Sequence, residues 1–247
     1  MTILDALADP NLFAALFCPA ATWAAWRAFL AAVFALPMDA AALDTYRRHT
    51  RRTAPPTLAA RVAWVIAGRR GGKSRLAALL VVFLACFRRY ELAPGERGVA
   101  MVIAADRRQA RVVFRYVCAL FDAVPMLAAM VTHRTSEALH LANDISVEVH
   151  TASFRTVRGY TIVAAVLDEV AYWPSDESAN PDAEIVAAVR PGMASIPGAL
   201  LVGISSPYAR RGELWRAYER HYGRDGDPVL VWQADTASMN PNVDADV

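Results

Sequence analysis

The sequence predicts an α/β fold, a mostly parallel central sheet flanked by helices, with a helical segment at the N-terminus. Two observations predict it. Continuous apolar runs at 62–67, 99–105, 162–167 and 199–204 alternate with helix-patterned stretches, as strands buried on both faces do. The first run passes through a glycine loop into a helix, and the third ends in two adjacent carboxylates, Asp168 and Glu169. At 247 residues, 55% of them hydrophobic, the chain can bury the core of one large domain or two small ones.

Residues 1–36 read as one or two packing helices, with Trp23, Trp26, Phe29, Leu30 and Val33 at helical spacing. Residues 37–60 are mixed. Tyr46, Arg47, Arg48, Arg51 and Arg52 precede Pro55-Pro56. Such a basic run is either a solvated face or a wall near a nucleotide, with Tyr46 available to stack on a base. A helix is expected from Lys73 to about Tyr90, then a turn at Pro94-Gly95. A strand at 99–105 and a helix over 107–121 follow; that helix carries Arg107, Arg108, Arg111 and Arg115. Residues 145–150 alternate like a strand, and 151–160 are polar. After the strand at 162–167 come a loop with Pro174 and Pro181, a helix near 183–189, a strand at 199–204, a helix over 213–222 and a last strand at 229–233. The expected division is a helical segment over 1–60 packed on a core over 61–247.

Bulk properties exclude several classes. A net charge of +2 is too small to imply nucleic acid by itself, so any such contact must come from local arginine clusters. Cys18, Cys86 and Cys118 lie far apart in apolar surroundings, as reduced thiols would, and neither they nor the five histidines have metal-ligand spacing. Asp5 and Asp9 stand where a signal peptide would need positive charge. The apolar stretch 12–36 is cut by Pro19 and carries Arg27, which argues against a membrane span.

The chemistry concentrates in two places. The first is Gly68-Arg69-Arg70-Gly71-Gly72-Lys73-Ser74, between a strand and a helix. This is the layout of a phosphate-binding loop: backbone N–H groups and the helix dipole face an anion, the lysine reaches the outer phosphates, and the serine hydroxyl can ligate magnesium. The glycine expected with four residues between it and the Gly-Lys pair is replaced by Ala67, and Gly68 stands one place late. Lys73 is the one lysine among 26 basic residues, and it stands where a compact point charge suits a phosphate. A plain glycine turn with a surface lysine fits that placement poorly.

The second place is the strand ending in Asp168-Glu169, 95 residues beyond Lys73. In P-loop enzymes such an acidic residue holds the metal, and the next, here Glu169, can orient and deprotonate water. The bland alternative is a solvent-facing strand end. Asp176 and Glu177 are the next candidates for the base. Together the two motifs specify a P-loop NTPase of the RecA-like branch, with ATP and magnesium as expected cofactors.

On these residues the chain resembles the ATPase domain of the large terminase subunit of tailed bacteriophages, over nearly its whole length. Residues 67–74 are similar to that family's deviant phosphate loop, which often carries an arginine where Arg69 stands. MVIAADRRQA at 101–110 looks like its next strand–helix segment, and Leu167-Asp168-Glu169 like its Walker B motif. SFRTVRGY at 153–160 resembles the segment whose arginine, here Arg158, reaches a neighbouring subunit's nucleotide; Arg155 and Arg69 compete for that role. GISSP at 203–207 resembles the motif that couples hydrolysis to movement, so that Ser205 and Ser206 would sense the γ-phosphate. TASMNPNV at 236–243 looks like the stretch leading into the family's second domain, and Trp23, Trp26 and the 46–56 run resemble its N-terminal region.

The resemblance implies ATP hydrolysis driving double-stranded DNA into a prohead in the host cytoplasm. The implied partners are a portal protein and a small terminase subunit. The implied assembly is a homo-oligomeric ring, with the isolated domain monomeric and no membrane involved. Large terminases normally continue into a nuclease with an acidic metal cluster. Asp244 and Asp246 are too few and too terminal to form one, so an ATPase domain alone is expected. Two other readings stay open: a helicase-type P-loop ATPase, which would need a second lobe, and a non-catalytic nucleotide- or DNA-binding module, in which the lysine or glutamate is usually lost.

Overall fold

A computed structural model of the chain describes residues 1–153, 157–173 and 181–243. Its strands form a mostly parallel eight-stranded sheet with flanking helices, in the order β3-β4-β5-β2-β6-β7-β1-β8. These are β1 Val62–Ala67, β2 Gly98–Ala104, β3 Val131–Arg134, β4 Ala138–Leu141, β5 Ile145–Thr151, β6 Thr161–Asp168, β7 Leu200–Ser205 and β8 Val229–Ala234. Backbone contacts divide the chain into two compact units, residues 1–73 with 202–247, and residues 74–201.

In the first unit, β1 and β8 pair in parallel. Helices α1 Ile3–Ala8, α2 Ala24–Val33 and α3 Ala40–Thr50 belong to it. Helix α2 is apolar on nearly every side because it is buried nearly all round. Its Trp26 meets Phe29 edge-on at 5.7 Å, Phe29 meets Trp232 of β8 at 5.6 Å, and His49 of α3 lies 5.1 Å from the same indole. The basic run after α3 is partly structural. Arg52 is 5% exposed and donates to the Val229 carbonyl, and Thr53 and Ala54 donate their N–H groups to Asp225. Helix α8 Gly212–His221 and the short α9 Thr236–Met239 complete this unit.

Helix α4 Lys73–Phe87 opens at the boundary and continues through the second unit. There β2 pairs in parallel with both β5 and β6. Helix α5 Arg107–Ala123 buries Ala110, Val113, Phe114, Val117, Leu120 and Phe121, an i, i+3, i+4, i+7 stripe, and leaves its arginines outside. A short α6 Pro125–Ala128 and α7 Pro181–Ala194 accompany them.

Two sequence expectations are corrected here. The sequence pattern predicts no strand over residues 131–141, yet they form the antiparallel pair β3 and β4 at the sheet's edge. An edge strand half in water needs no continuous apolar run. Helix α7 runs well past residue 189, with Pro191 inside it.

Candidate functional site

The residues expected to form a phosphate loop sit where β1 gives way to α4, in the first unit up to Lys73. The carbonyls of the loop account for its shape. Lys73 Nζ donates to the carbonyls of Ala67 at 2.9 Å and Gly68 at 3.0 Å. Thr236 Oγ1 donates to the Arg69 carbonyl at 3.0 Å and Asn240 Nδ2 to that of Arg70 at 2.9 Å. Trp26 Nε1 donates to the Gly71 carbonyl at 2.7 Å, in a buried position. Five consecutive carbonyls, 67 to 71, are thus each held by a donor from this unit. A loop that cradles an anion must keep these negative ends occupied, since they would repel it.

Glycine is required at two loop positions. Gly72 has φ +88°, and a Cβ there would also stand 3.1 Å from Trp26 Nε1. At Gly68 a Cβ would run into the Thr236 hydroxyl. Arg70 adopts φ +61° without being glycine. Arg69 and Arg70 are exposed, while Lys73 is only 6% exposed. The third acceptor of the Lys73 ammonium is Ser206 Oγ at 3.0 Å. Ser205 and Ser206 end and follow β7, both buried. The structure therefore joins Ser206 to the lysine, 133 residues away in sequence.

Tyr46 is corrected. Its ring is fully buried within the first unit and its hydroxyl donates to the Ala54 carbonyl at 3.2 Å. Burial pushes its phenol pKa up. It is a core residue and presents no face to a base.

The second unit holds Ser74, Asp168, Glu169 and Arg158. Ser74 is half-buried on the first turn of α4. Asp168 is the last residue of β6 and 4% exposed, and its carbonyl accepts from Trp173 Nε1 at 3.0 Å. Glu169 has φ +49° and ψ +44°, a left-handed backbone that disfavours a long side chain and gathers at functional turns. A short 3₁₀ turn at Val170–Tyr172 follows, closed by Tyr172 N–H donating to the Glu169 carbonyl. Arg158 is exposed in a bend between buried Val157 and Gly159, which has φ +82°. Arg155, Asp176, Glu177, Asp244 and Asp246 lie outside the described residues.

The loop geometry fits a nucleotide phosphate: a cationic lysine at a glycine turn, with its carbonyls already engaged. Among the described residues no group of three or more His, Cys, Asp or Glu could hold a metal. A cation held by one hydroxyl, one carboxylate and phosphate oxygens, as P-loop enzymes hold magnesium, needs no such group. Sequence reading missed the supporting donors Trp26, Thr236 and Asn240 as parts of the loop. Among the described residues no helix is long and apolar enough to cross a membrane.

No protein-family model matches the chain, and no curated protein matches it in sequence. Solved structures do. A mutant of the large terminase ATPase domain of Thermus phage P74-26 superposes with a TM-score of 0.57 at 16% identity, covering 85% of this chain and 86% of that one. A second structure of that domain gives 0.54 at 18% identity with the same coverage. The large terminase of bacteriophage HK97 gives 0.56 at 20% identity over 75% of this chain. This chain spans 40% of the HK97 protein's length. These likenesses show a shared fold.

Proposed function

We propose that this chain is an ATPase that converts ATP and water to ADP and phosphate and powers the packaging of double-stranded viral DNA. One observation carries the reading. The chain's lone lysine lies buried at a glycine loop, between two loop carbonyls and the Ser206 hydroxyl. The fold shared with phage large terminase ATPase domains supports the same direction.

In this reading the loop N–H groups of residues 68–73 and the Lys73 ammonium bind the β- and γ-phosphates. Ser74 and Asp168 hold magnesium, which when bound neutralises charge on the phosphate oxygens. Glu169 orients the attacking water and accepts its proton. Ser206, hydrogen-bonded to Lys73, registers loss of the γ-phosphate together with Ser205 at the end of β7. Arg158 of one chain stabilises charge in a neighbour's site, with Arg69 as the competing source of that charge. The proposed partners are double-stranded DNA, a portal protein, a small terminase subunit and further copies of the chain in a ring. The proposed setting is the prohead in the host cytoplasm.

The test is phosphate release with Mg-ATP, read beside thermal stabilisation by Mg-ATP. The unaltered chain should be stabilised and should turn over. Lys73→Ala should lose both. Glu169→Gln should keep the stabilisation and lose turnover by about 10²-fold or more, the scale of a lost general base. Equal stabilisation of Lys73→Ala and the unaltered chain would refute the phosphate-loop assignment.

A further inference from the structure

Helix α5 carries Arg107, Arg108, Arg111 and Arg115, all exposed, opposite the stripe it buries. The four line one groove of about 820 Å³, with Phe114 and with Ser136 from the turn between β3 and β4. Two of them are held in place. Glu137 Oε1 lies 3.1 Å from Arg111 Nη2 and 3.7 Å from Arg107 Nη1. Arg108 and Arg115 have no carboxylate partner among the described residues. One carboxylate is thus shared by two of the four guanidinium groups, and the surplus of positive charge stays on the surface.

The placement is costly for the helix alone. Arg107 and Arg108 occupy its first turn, where the helix dipole is already positive and acidic residues are favoured. The Asp106 cap, accepting from Gln109 N–H at 2.8 Å, offsets part of that. From Arg108 to Arg115 the helix rises about 10 Å, at 1.5 Å per residue. Duplex DNA carries one negative charge per about 1.7 Å of its axis, both strands counted, so a span of that length carries about six. The match is to a line of repeated charge, rather than to a single anion.

We propose that this arginine face of α5 grips the phosphate backbone of double-stranded DNA, without reading its sequence. The inference rests on the packaging reading above, which assigned the duplex no surface. Arginine suits the task, because its planar fork meets phosphate oxygens in pairs. Arg107 and Arg111, steadied by Glu137, lose less freedom on binding than unpaired arginines would.

The experiment measures binding of a labelled random-sequence duplex to the chain across a salt series, alongside Mg-ATP thermal stabilisation. If four arginines contact phosphates, log affinity should fall with log salt at a slope of about −3.6. The double variant Arg108→Gln/Arg115→Gln should bind about 10-fold or more weakly at low salt, with a slope shallower by about 2. It should keep the melting temperature and Mg-ATP stabilisation of the unaltered chain, since both residues are exposed. An unchanged slope and affinity in the double variant would overturn the proposal and leave the ATPase reading intact. So would an unaltered chain that Mg-ATP stabilises but that binds no duplex. Weakened DNA binding in the double variant, with no Mg-ATP stabilisation of the unaltered chain, would support the arginine face and overturn the ATPase reading instead.

Discussion

His49 shows how much a single position can carry. Its imidazole lies against Trp232, and its Nδ1–H donates to the Gln233 carbonyl at 3.0 Å. Burial is the main influence and pushes its pKa below the usual histidine value; Arg48 pushes further down, while the Gln233 carbonyl and Asp235 pull up. The folded state therefore holds this ring neutral at pH values where the unfolded chain protonates it. Stability from this group is complete above the unfolded value near 6.5 and falls as pH drops through it. Asp225, Asp227 and Asp235 are held below the usual carboxylate range, largely by hydrogen bonds to Thr53, His221 and Ser238 acting against burial. Their losses come at lower pH. Denaturant melts from pH 7.5 to 5 should show a decline that His49→Gln removes. An equal decline in the variant would assign the effect to other groups.

At the level of elements, the glycine loop depends on structure that is remote from it in sequence. Helix α2 contributes Trp26, and the segment of α9 contributes Thr236 and Asn240, each to a loop carbonyl. Trp26→Phe keeps an aromatic ring but removes the donor to the Gly71 carbonyl. A buried acceptor left without its partner costs about 1–3 kcal/mol. The variant should thus melt at lower temperature. It should also lose Mg-ATP affinity beyond what the stability change alone explains, because Gly71 and Gly72 would no longer be fixed. A Trp26→Phe chain that is destabilised but binds Mg-ATP normally would show that α2 supports the fold and not the loop. Gly72→Ala addresses the same point from within the loop, where φ +88° strains any side chain whatever the space.

For the whole molecule, the question is whether one chain completes its own site. Arg158 is exposed on a bend, anchored by buried Val157 and released by Gly159. An arginine supplied by another subunit can be worth on the order of 10³–10⁵ in rate. If Arg158 acts this way, turnover per chain should rise with protein concentration as assembly proceeds. Arg158→Ala should bind ATP normally and hydrolyse poorly at every concentration. Mixed with Lys73→Ala in an assembled ring, it should recover part of the activity, since each variant spoils a different half of a shared site. Normal hydrolysis by Arg158→Ala alone, with no gain on mixing, would move the charge to Arg69.

The sequence by itself determined the alternation of buried strands and helices, the glycine loop with its lone lysine, and the strand ending in Asp168-Glu169. These features are local: periodicity, turn chemistry and charge placement act over a few residues. Only the tertiary structure decided the partners. Trp26 and the Gly71 carbonyl it caps are 45 positions apart, and Thr236 and Arg69 are 167 apart. No local pattern encodes such pairings. The same reason puts Tyr46 in the core, neither on a solvated face nor beside a base, because burial depends on what else folds over a residue. It also hid the β3–β4 pair, whose polar residues on the sheet's edge acquire strand geometry from the register of β4 against β5 rather than from their own composition.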